Sequence, residues 1–144
     1  MIFATLFAAA ACMATPVHGE PLAQTPNSLS ALRWVQATPN RAGIVGLLFA
    51  DTRTPTFSLW TKGQGPNGPA TKILWLVRNV HAGRVISLRG YEIGSATTFR
   101  QTFSTAGDKQ YPSIVKLPYA GCWQLELASG GAKGTLVVLA FPEP

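Results

Sequence analysis

The fold is decided by one stretch, Pro118-Tyr119-Ala120-Gly121-Cys122-Trp123-Gln124-Leu125-Glu126-Leu127. Pro118 and Gly121 predict a turn, and the residues that follow alternate strictly between the two faces of a strand. One face carries the large apolar side chains of Trp123, Leu125 and Leu127. The other face carries Cys122, Gln124 and Glu126. This pattern predicts a corner that leads into a half-buried strand, with Trp123 in the core of a β-sandwich.

Other parts of the chain predict further strands. Residues 43–50 are apolar throughout, which predicts a strand buried on both faces. Residues 71–78 and 84–91 are expected to pair with each other as a hairpin or meander. Residues 134–141 are expected to pair with the strand that contains Trp123. The shorter predicted strands are residues 57–60, 97–102 and 111–117.

Composition supports the same fold class. The chain has 144 residues with 14 Gly and 11 Pro, and only 12% are charged, which favours a turn-rich all-β fold. This length fits a single domain. The sequence therefore predicts an antiparallel β-sandwich of seven to eight strands over residues 43–142, preceded at residues 20–42 by a spacer or a first edge strand.

Two features of the predicted strands resemble immunoglobulin domains. Trp75 lies in the middle of an early strand, and Trp123 lies in a Gly-x-aromatic-x-apolar corner. In immunoglobulin domains a corner Tyr precedes a core Cys by two residues, and here Trp123 precedes Leu125 at the like positions. The resemblance implies an immunoglobulin-like sandwich that lacks the core disulfide.

A longer pattern runs through residues 43–141. Its parts are Gly43-Ile44-Val45-Gly46, Lys72-Ile73-Leu74-Trp75, Gly90, Tyr111-Pro112-Ser113-Ile114-Val115, Leu117-Pro118 and Gly121-Cys122-Trp123. This pattern, with its Leu-Pro-x-x-Gly-Cys-Trp motif, resembles a group of uncharacterised exported bacterial immunoglobulin-like proteins, many of them lipoproteins. The resemblance implies export and brings no catalytic residues with it.

Residues 1–19 have features of a signal peptide. Residues 2–15 form an apolar run that is too short to span a bilayer. Val17 and Gly19 occupy the minus-three and minus-one positions of a cleavage site after Gly19, which predicts a mature chain that begins at Glu20. No Lys or Arg precedes the apolar run, and a buried N-terminal helix is the alternative. The expected location is secreted or periplasmic.

Cys12 offers a second possibility, a lipid anchor in the membrane. Ala9-Ala10-Ala11-Cys12 resembles a lipoprotein processing site, although Ala9 stands where a large aliphatic residue is usual. Plain secretion is favoured over lipidation at Cys12. Removal of the leader would leave Cys122 alone, so no intramolecular disulfide is expected. Cys122 is then predicted to be a buried, inert thiol or one that pairs with another molecule.

The charge of the chain is basic but dispersed. The net charge is +6, and the 12 Lys and Arg residues are scattered singly without a basic run. No specific nucleic-acid partner is therefore expected. Residues 62–69 are rich in Gly, but they lack the Gly-Lys-Ser/Thr ending and the following helix of a phosphate-binding loop.

Catalytic and metal-binding chemistry has few candidate residues. Beyond the leader there is one histidine, His81, and the aspartates are Asp51 and Asp108, with no Gly-x-Ser-x-Gly motif. Glu92 and Glu126 show no spacing that pairs carboxylates for glycoside hydrolysis. One Cys and one His are too few for a zinc site. We predict no catalytic residues, no cofactor and no metal.

The sequence predicts a function outside the cytoplasm rather than a reaction. The expected role is that of a non-catalytic binding or envelope-structural module, with a protein or a glycan as its ligand. One alternative is a hydrolase that uses His81 with an acid brought near by the fold. The other is a carbohydrate-binding module whose exposed aromatic residues are Trp34, Trp60 and Tyr91.

Overall fold

Two β-sheets packed face to face make up the fold. The computed structural model describes residues 12–49, 53–65, 68–69 and 71–143. Strands account for 52% of the chain and helix for 2%. The predicted all-β sandwich is confirmed.

The described residues form eleven strands, three more than the sequence firmly predicted; nine lie in the two packed sheets, and two form a separate two-stranded sheet. In chain order they are β1 (Arg33–Gln36), β2 (Ile44–Leu48), β3 (Ser58–Trp60), β4 (Gln64–Gly65), β5 (Gly68–Pro69), β6 (Lys72–Val77), β7 (Val85–Glu92), β8 (Thr98–Ser104), β9 (Gln110–Ile114), β10 (Gly121–Ser129) and β11 (Ala132–Phe141). A short 3-10 helix, Asn40–Ala42, lies between β1 and β2. The strands not firmly predicted are β1, which was one of two options for its segment, and the two-residue strands β4 and β5, which show no alternation.

The strand order is that of an immunoglobulin-like sandwich. One sheet has four strands in the order β1-β2-β6-β9, and the other has five in the order β3-β11-β10-β7-β8. Strands β2, β6 and β9 take the places of immunoglobulin strands A, B and E, and β7, β10 and β11 those of C, F and G. Strand β3 pairs in parallel with β11 at the edge of the five-stranded sheet. Strand β1 adds an extra edge beside β2.

The predicted hairpin between residues 71–78 and 84–91 is wrong. Strand β6 pairs with β2 and β9 in the four-stranded sheet, whereas β7 pairs with β8 and β10 in the five-stranded sheet. The connection from residue 78 to residue 84 therefore crosses between the sheets. Strand propensity alone does not distinguish a hairpin from such a crossing, because each segment forms a strand whichever partner it takes.

The alternation in the deciding stretch is confirmed. Trp123, Leu125 and Leu127 on β10 are buried between the sheets, and Glu126 on the opposite face is exposed. Trp75 on β6 is fully buried in the same core. The other large side chains that are completely buried there include Phe57, Ile44, Leu59, Ile73, Ile86, Leu88, Tyr111 and Leu117.

Aromatic rings fix the corner before β10. The Trp123 indole Nε1 donates a hydrogen bond to the Tyr119 carbonyl at 3.0 Å, which satisfies its one polar atom inside the core. Tyr119 and Phe99 each meet the Trp123 ring edge-on, with centroids 5.2 Å and 5.3 Å away. Phe99 lies across Gly90 of β7, where any side chain would overlap its ring. Gly90 thus creates the space that the aromatic cluster occupies.

The four-stranded sheet is buried on its outer face as well. Val45 and Leu47 of β2 and Leu74 and Leu76 of β6 point away from the main core and are nonetheless buried. Residues 22–34 cover them with the side chains of Leu22, Leu29, Leu32 and Trp34. This cover explains why β2 and β6 carry apolar side chains on both faces rather than on one.

A buried polar cluster joins the two sheets at one end. The Tyr111 hydroxyl on β9 lies 2.9 Å from Ser129 Oγ on β10 and contacts the Gly83 carbonyl. Ser129 Oγ donates to the Val85 carbonyl at 2.8 Å and accepts from the Gly83 N–H at 2.9 Å. Each sheet therefore contributes one hydroxyl from a buried residue to this network.

Replacement of Trp123 by Ala is expected to lower the free energy of unfolding by about 3–5 kcal/mol, because it removes a fully buried aromatic side chain and leaves a cavity. Chemical denaturation monitored by circular dichroism measures the loss. Val80→Ala is the control, since Val80 is 82% exposed and should change stability by less than about 0.5 kcal/mol. Equal effects of the two substitutions would contradict the placement of Trp123 in the core.

Ser129→Ala is expected to cost about 1–3 kcal/mol, because the Gly83 N–H loses its acceptor in a buried environment. Ser87→Ala is the matched control, because Ser87 is exposed and makes a single long bond of 3.3 Å to the Ala128 carbonyl. Thermal and chemical denaturation of both variants provide the measurement. A Ser129→Ala protein as stable as Ser87→Ala would show that the cluster contributes nothing to stability.

Candidate functional site

A disulfide joins the start of the described chain to the deciding strand. Cys12 and Cys122 are bonded, with their Cα atoms 5.5 Å apart and a sequence separation of 110. Both cysteines of the chain are therefore paired. For a chain that retains Cys12, the expectation of no intramolecular disulfide is therefore wrong. The unpaired Cys122 was expected only after removal of Cys12 with a leader, and that removal stays a prediction.

Residues 12–18, which we call the N-terminal clamp, touch both sheets. Thr15 exchanges two bonds of 2.9 Å with β11, from its N–H to the Val137 carbonyl and from the Val137 N–H to its Oγ1. Its carbonyl accepts a bond of 2.7 Å from the Phe57 N–H. His18 exchanges two backbone bonds, of 2.8 Å and 3.1 Å, with Trp34 of β1. The clamp thus links the five-stranded sheet to the four-stranded sheet along one side of the sandwich.

The clamp also carries a side chain into the main core. Val17 packs against the buried cluster between the sheets. Because Cys122 lies on β10 and Thr15 pairs with the far edge of β11, the clamp crosses the outer face of β11. Residues 1–11 of the predicted signal peptide lie outside the described residues. Cleavage after Gly19 stays a prediction, and it would remove the whole clamp.

The outer face of the five-stranded sheet carries mostly polar side chains. We call this surface the polar sheet face. It consists of Ser87, Arg89, Tyr91, Thr98, Arg100, Thr102, Gln124, Glu126, Ala128, Lys133 and Thr135. The cross-strand register places Arg89 between Glu126 and Arg100 and places Tyr91 between Gln124 and Thr98. Side chains directly opposite one another in such a sheet lie within contact distance.

Two contacts organise the centre of the polar sheet face. The Arg89 guanidinium lies over the Tyr91 ring, 4.8 Å from its centroid, which is a cation–π arrangement. The Tyr91 hydroxyl lies 3.3 Å from a carboxylate oxygen of Glu126. Arg89 Nε is shielded from solvent and has no hydrogen-bond partner in the described structure. The face carries the cations Arg89, Arg100 and Lys133 against one carboxylate, so it is locally positive.

A groove of about 460 Å³ opens beside the polar sheet face. Glu126, Lys133 and Thr135 line it from the sheet, and Thr38 and Pro39 line it from the loop that pairs with the edge of β11. A flat, open sheet face with a groove along one margin can accommodate an extended polymer more readily than a compact small molecule, which usually requires a concave pocket.

The three aromatic residues predicted for carbohydrate binding do not form one platform. Trp34 lies on the four-stranded sheet, where its ring stacks on His18 at 4.2 Å and its Nε1 donates to the Glu20 carbonyl. Trp60 lies on β3 against Phe141, with the ring centroids 5.9 Å apart. Strands β10 and β11 separate β3 from β7, which carries Tyr91. Of the three, Tyr91 alone belongs to the polar sheet face.

His81 lies in the exposed turn between β6 and β7. Its N–H is bonded to Asn79 Oδ1 at 2.9 Å, and its carbonyl accepts from the Gly131 N–H at 2.9 Å. Within residues 12–49, 53–65 and 71–143 its imidazole has no hydrogen bond or ion pair. Asp108 lies in the turn before β9, and Asp51 lies outside the described residues. The contacts that would orient His81 as a general base are thus not among those described.

The described residues offer neither a metal-ligand cluster nor a membrane-spanning helix. Those residues contain no group of three or more His, Cys, Asp or Glu side chains that could hold a metal ion. They also contain no helix that has both the length and the apolar character needed to span a bilayer.

Sequence inspection missed most of the polar sheet face. The sequence singles out Tyr91 alone as a ligand candidate, while Arg89 and Arg100 are among the scattered cations and Gln124 is placed only on the face opposite Trp123. The available signal was the alternation in β7 and β8, where polar and cationic side chains occupy every second position. These residues become neighbours only through strand pairing. The order of the strands in the sheet could not be read from the sequence.

The Cys12→Ser and Cys122→Ser variants are each expected to lower the free energy of unfolding by about 2–4 kcal/mol, because the cross-link restricts the unfolded chain. The double variant should be no less stable than either single variant, since all three lack the same bond. Urea denaturation without reductant, on chains that retain Cys12, measures these differences. Costs that add up in the double variant would show that the two cysteines act independently.

No family model, curated protein or solved structure matches this chain. Its function is therefore inferred from the N-terminal clamp and the polar sheet face.

Proposed function

We propose that this protein is an exported, non-catalytic binding module of the cell envelope, and that its ligand is an acidic glycan held on the polar sheet face. The observation that carries the proposal is the placement of Arg89, Tyr91 and Arg100 beside one another on the outer face of the five-stranded sheet. The proposal keeps the immunoglobulin-like module predicted from the sequence and gives it a surface and a class of ligand.

The chemistry of the polar sheet face suits uronic acids or other carboxylated sugars. Arginine guanidinium groups bind carboxylates through two parallel hydrogen bonds, and Arg89 and Arg100 are direct cross-strand neighbours. Gln124 and Thr98, on either side of Tyr91, supply an amide and a hydroxyl that can bond sugar hydroxyls. The Tyr91 ring offers an apolar surface at the centre of these groups.

The compartment follows from the disulfide and from the apolar run at the start of the chain. Structural disulfides persist in oxidising compartments such as the periplasm and the extracellular space. The bond between Cys12 and Cys122 therefore supports export, as does the signal-like run in residues 2–11. Membership in the group of exported bacterial proteins stays a prediction that agrees with this location.

An acidic glycan is preferred to nucleic acid because of how the cations are arranged. A nucleic-acid groove usually shows clustered Lys and Arg that follow a phosphate backbone. Here the polar sheet face mixes three cations with Glu126, three Thr residues and an amide. This mixture provides the hydrogen-bonding partners that sugar hydroxyls require, together with a moderate positive charge for carboxylates.

Binding is tested with polygalacturonate as the acidic glycan and dextran as the neutral one. We expect the protein to bind polygalacturonate and not dextran in isothermal titration calorimetry, with affinity that falls as salt is raised. The Arg89→Ala/Arg100→Ala variant should bind at least about tenfold more weakly, which corresponds to about 1.4 kcal/mol.

The matched control removes two cations that lie outside the polar sheet face. Lys72 belongs to the four-stranded sheet and Lys116 follows β9, and both are exposed. The Lys72→Ala/Lys116→Ala variant has the same net charge as the Arg variant and should bind like the unmodified protein. Equal weakening in the two variants would reduce the effect to overall charge, and binding of dextran as tight as that of polygalacturonate would contradict the assigned ligand class.

A further inference from the structure

We infer that the mature protein begins at Cys12, through cleavage of the Ala11–Cys12 peptide bond, and that Cys12 then forms the disulfide with Cys122. This inference rests on the export contained in the proposed function. It replaces cleavage after Gly19 and excludes a lipid anchor at Cys12.

The first argument is the structural role of residues 12–18. Cleavage after Gly19 would discard every clamp contact: the disulfide, the two bonds between Thr15 and Val137, the Val17 side chain in the core, and the backbone pairing of His18 with Trp34. It would also leave Cys122 as an unpaired thiol in an oxidising compartment. A leader is removed after export, so a segment that forms part of the fold does not belong to it.

The second argument is the sequence around the new site. Ala9 and Ala11 stand at the minus-three and minus-one positions before Cys12, which is the small-x-small pattern that leader cleavage requires. The apolar run then extends over residues 2–11, a length that suits the hydrophobic part of a signal peptide. At the alternative site the minus-three residue is Val17, a larger side chain that packs against the core.

The third argument concerns the chemistry of the Cys12 sulfur. A lipoprotein anchor attaches its diacylglycerol through a thioether at the cysteine sulfur, and a disulfide uses the same atom. The two modifications therefore exclude one another. Because Cys12 Sγ is bonded to Cys122 Sγ, the structure favours the disulfide over the lipid.

The maturation consists of two balanced steps. In the first, a leader-cleaving protease hydrolyses the Ala11–Cys12 bond, so that water supplies the hydroxyl of the new Ala11 carboxylate and a proton of the new Cys12 amine. In the second, the two thiols lose two protons and two electrons to the disulfide of a thiol oxidoreductase, which is reduced to its dithiol. The products are the Cys12–Cys122 disulfide and a free leader peptide.

The two candidate cleavage sites can be blocked independently. A Lys at the minus-one position prevents leader cleavage, so Ala11→Lys should abolish processing. Gly19→Lys is the matched control, because Gly19 is exposed and a side chain placed there would meet nothing within 4 Å. We expect Gly19→Lys to be processed like the unmodified chain. The reverse result, with Gly19→Lys unprocessed and Ala11→Lys processed, would overturn the inference.

Intact mass spectrometry of the exported protein, with and without reduction and alkylation, provides the direct readout. The expected protein starts at Cys12, resists alkylation until it is reduced, and then takes up two alkyl groups. A protein that starts at Glu20, or one with a lipid on Cys12, would overturn the inference while leaving export intact. A protein that remains in the cytoplasm with its leader would contradict the proposed location, and with it this inference.

Discussion

The register of β10 against its two neighbours is the constraint on which the rest of the structure depends. Side chains on a strand alternate between faces, so a shift by one residue would turn Trp123 to solvent and Cys122 into the core. In the observed register Trp123 fills the corner, and Cys122 reaches the N-terminal clamp on the outside. Gln124 and Glu126 then fall on the polar sheet face by the same alternation. Core, cross-link and proposed binding surface therefore share one strand.

In this sandwich the disulfide lies outside the packed core. Immunoglobulin domains of antibodies place a disulfide between the sheets, next to a buried Trp. Here Trp75 and Trp123 lie in that space, and the disulfide joins β10 to the clamp on the outer face. Apolar burial between the sheets does not require oxidation, whereas attachment of the clamp is strengthened by it. The disulfide stabilises the fold chiefly by restricting the unfolded chain and by holding the N-terminal segment in place.

The fold class could be predicted from the sequence because alternation and turn residues report on local structure. All eight predicted strands are present, and the faces of β10 were assigned correctly from Trp123, Leu125 and Leu127. The partners of β6 and β7 could not be predicted, since two consecutive strands can be joined either by a hairpin or by a crossing between the sheets. The polar sheet face was missed for the same reason, because Arg89 and Arg100 become neighbours only through strand pairing.

The two cleavage sites considered near Cys12 show how a local sequence pattern and a tertiary contact can point to different ends of a leader. An apolar run followed by small residues predicts a leader. Composition alone does not determine which residue is the last of that leader. The clamp supplies the missing information, since its backbone bonds occupy the edge of β11 at Val137 and the edge of β1 at Trp34. Without it both strands would present unpaired N–H and C=O groups, which invite pairing with other chains. A leader that ends before Cys12 keeps these two edges covered.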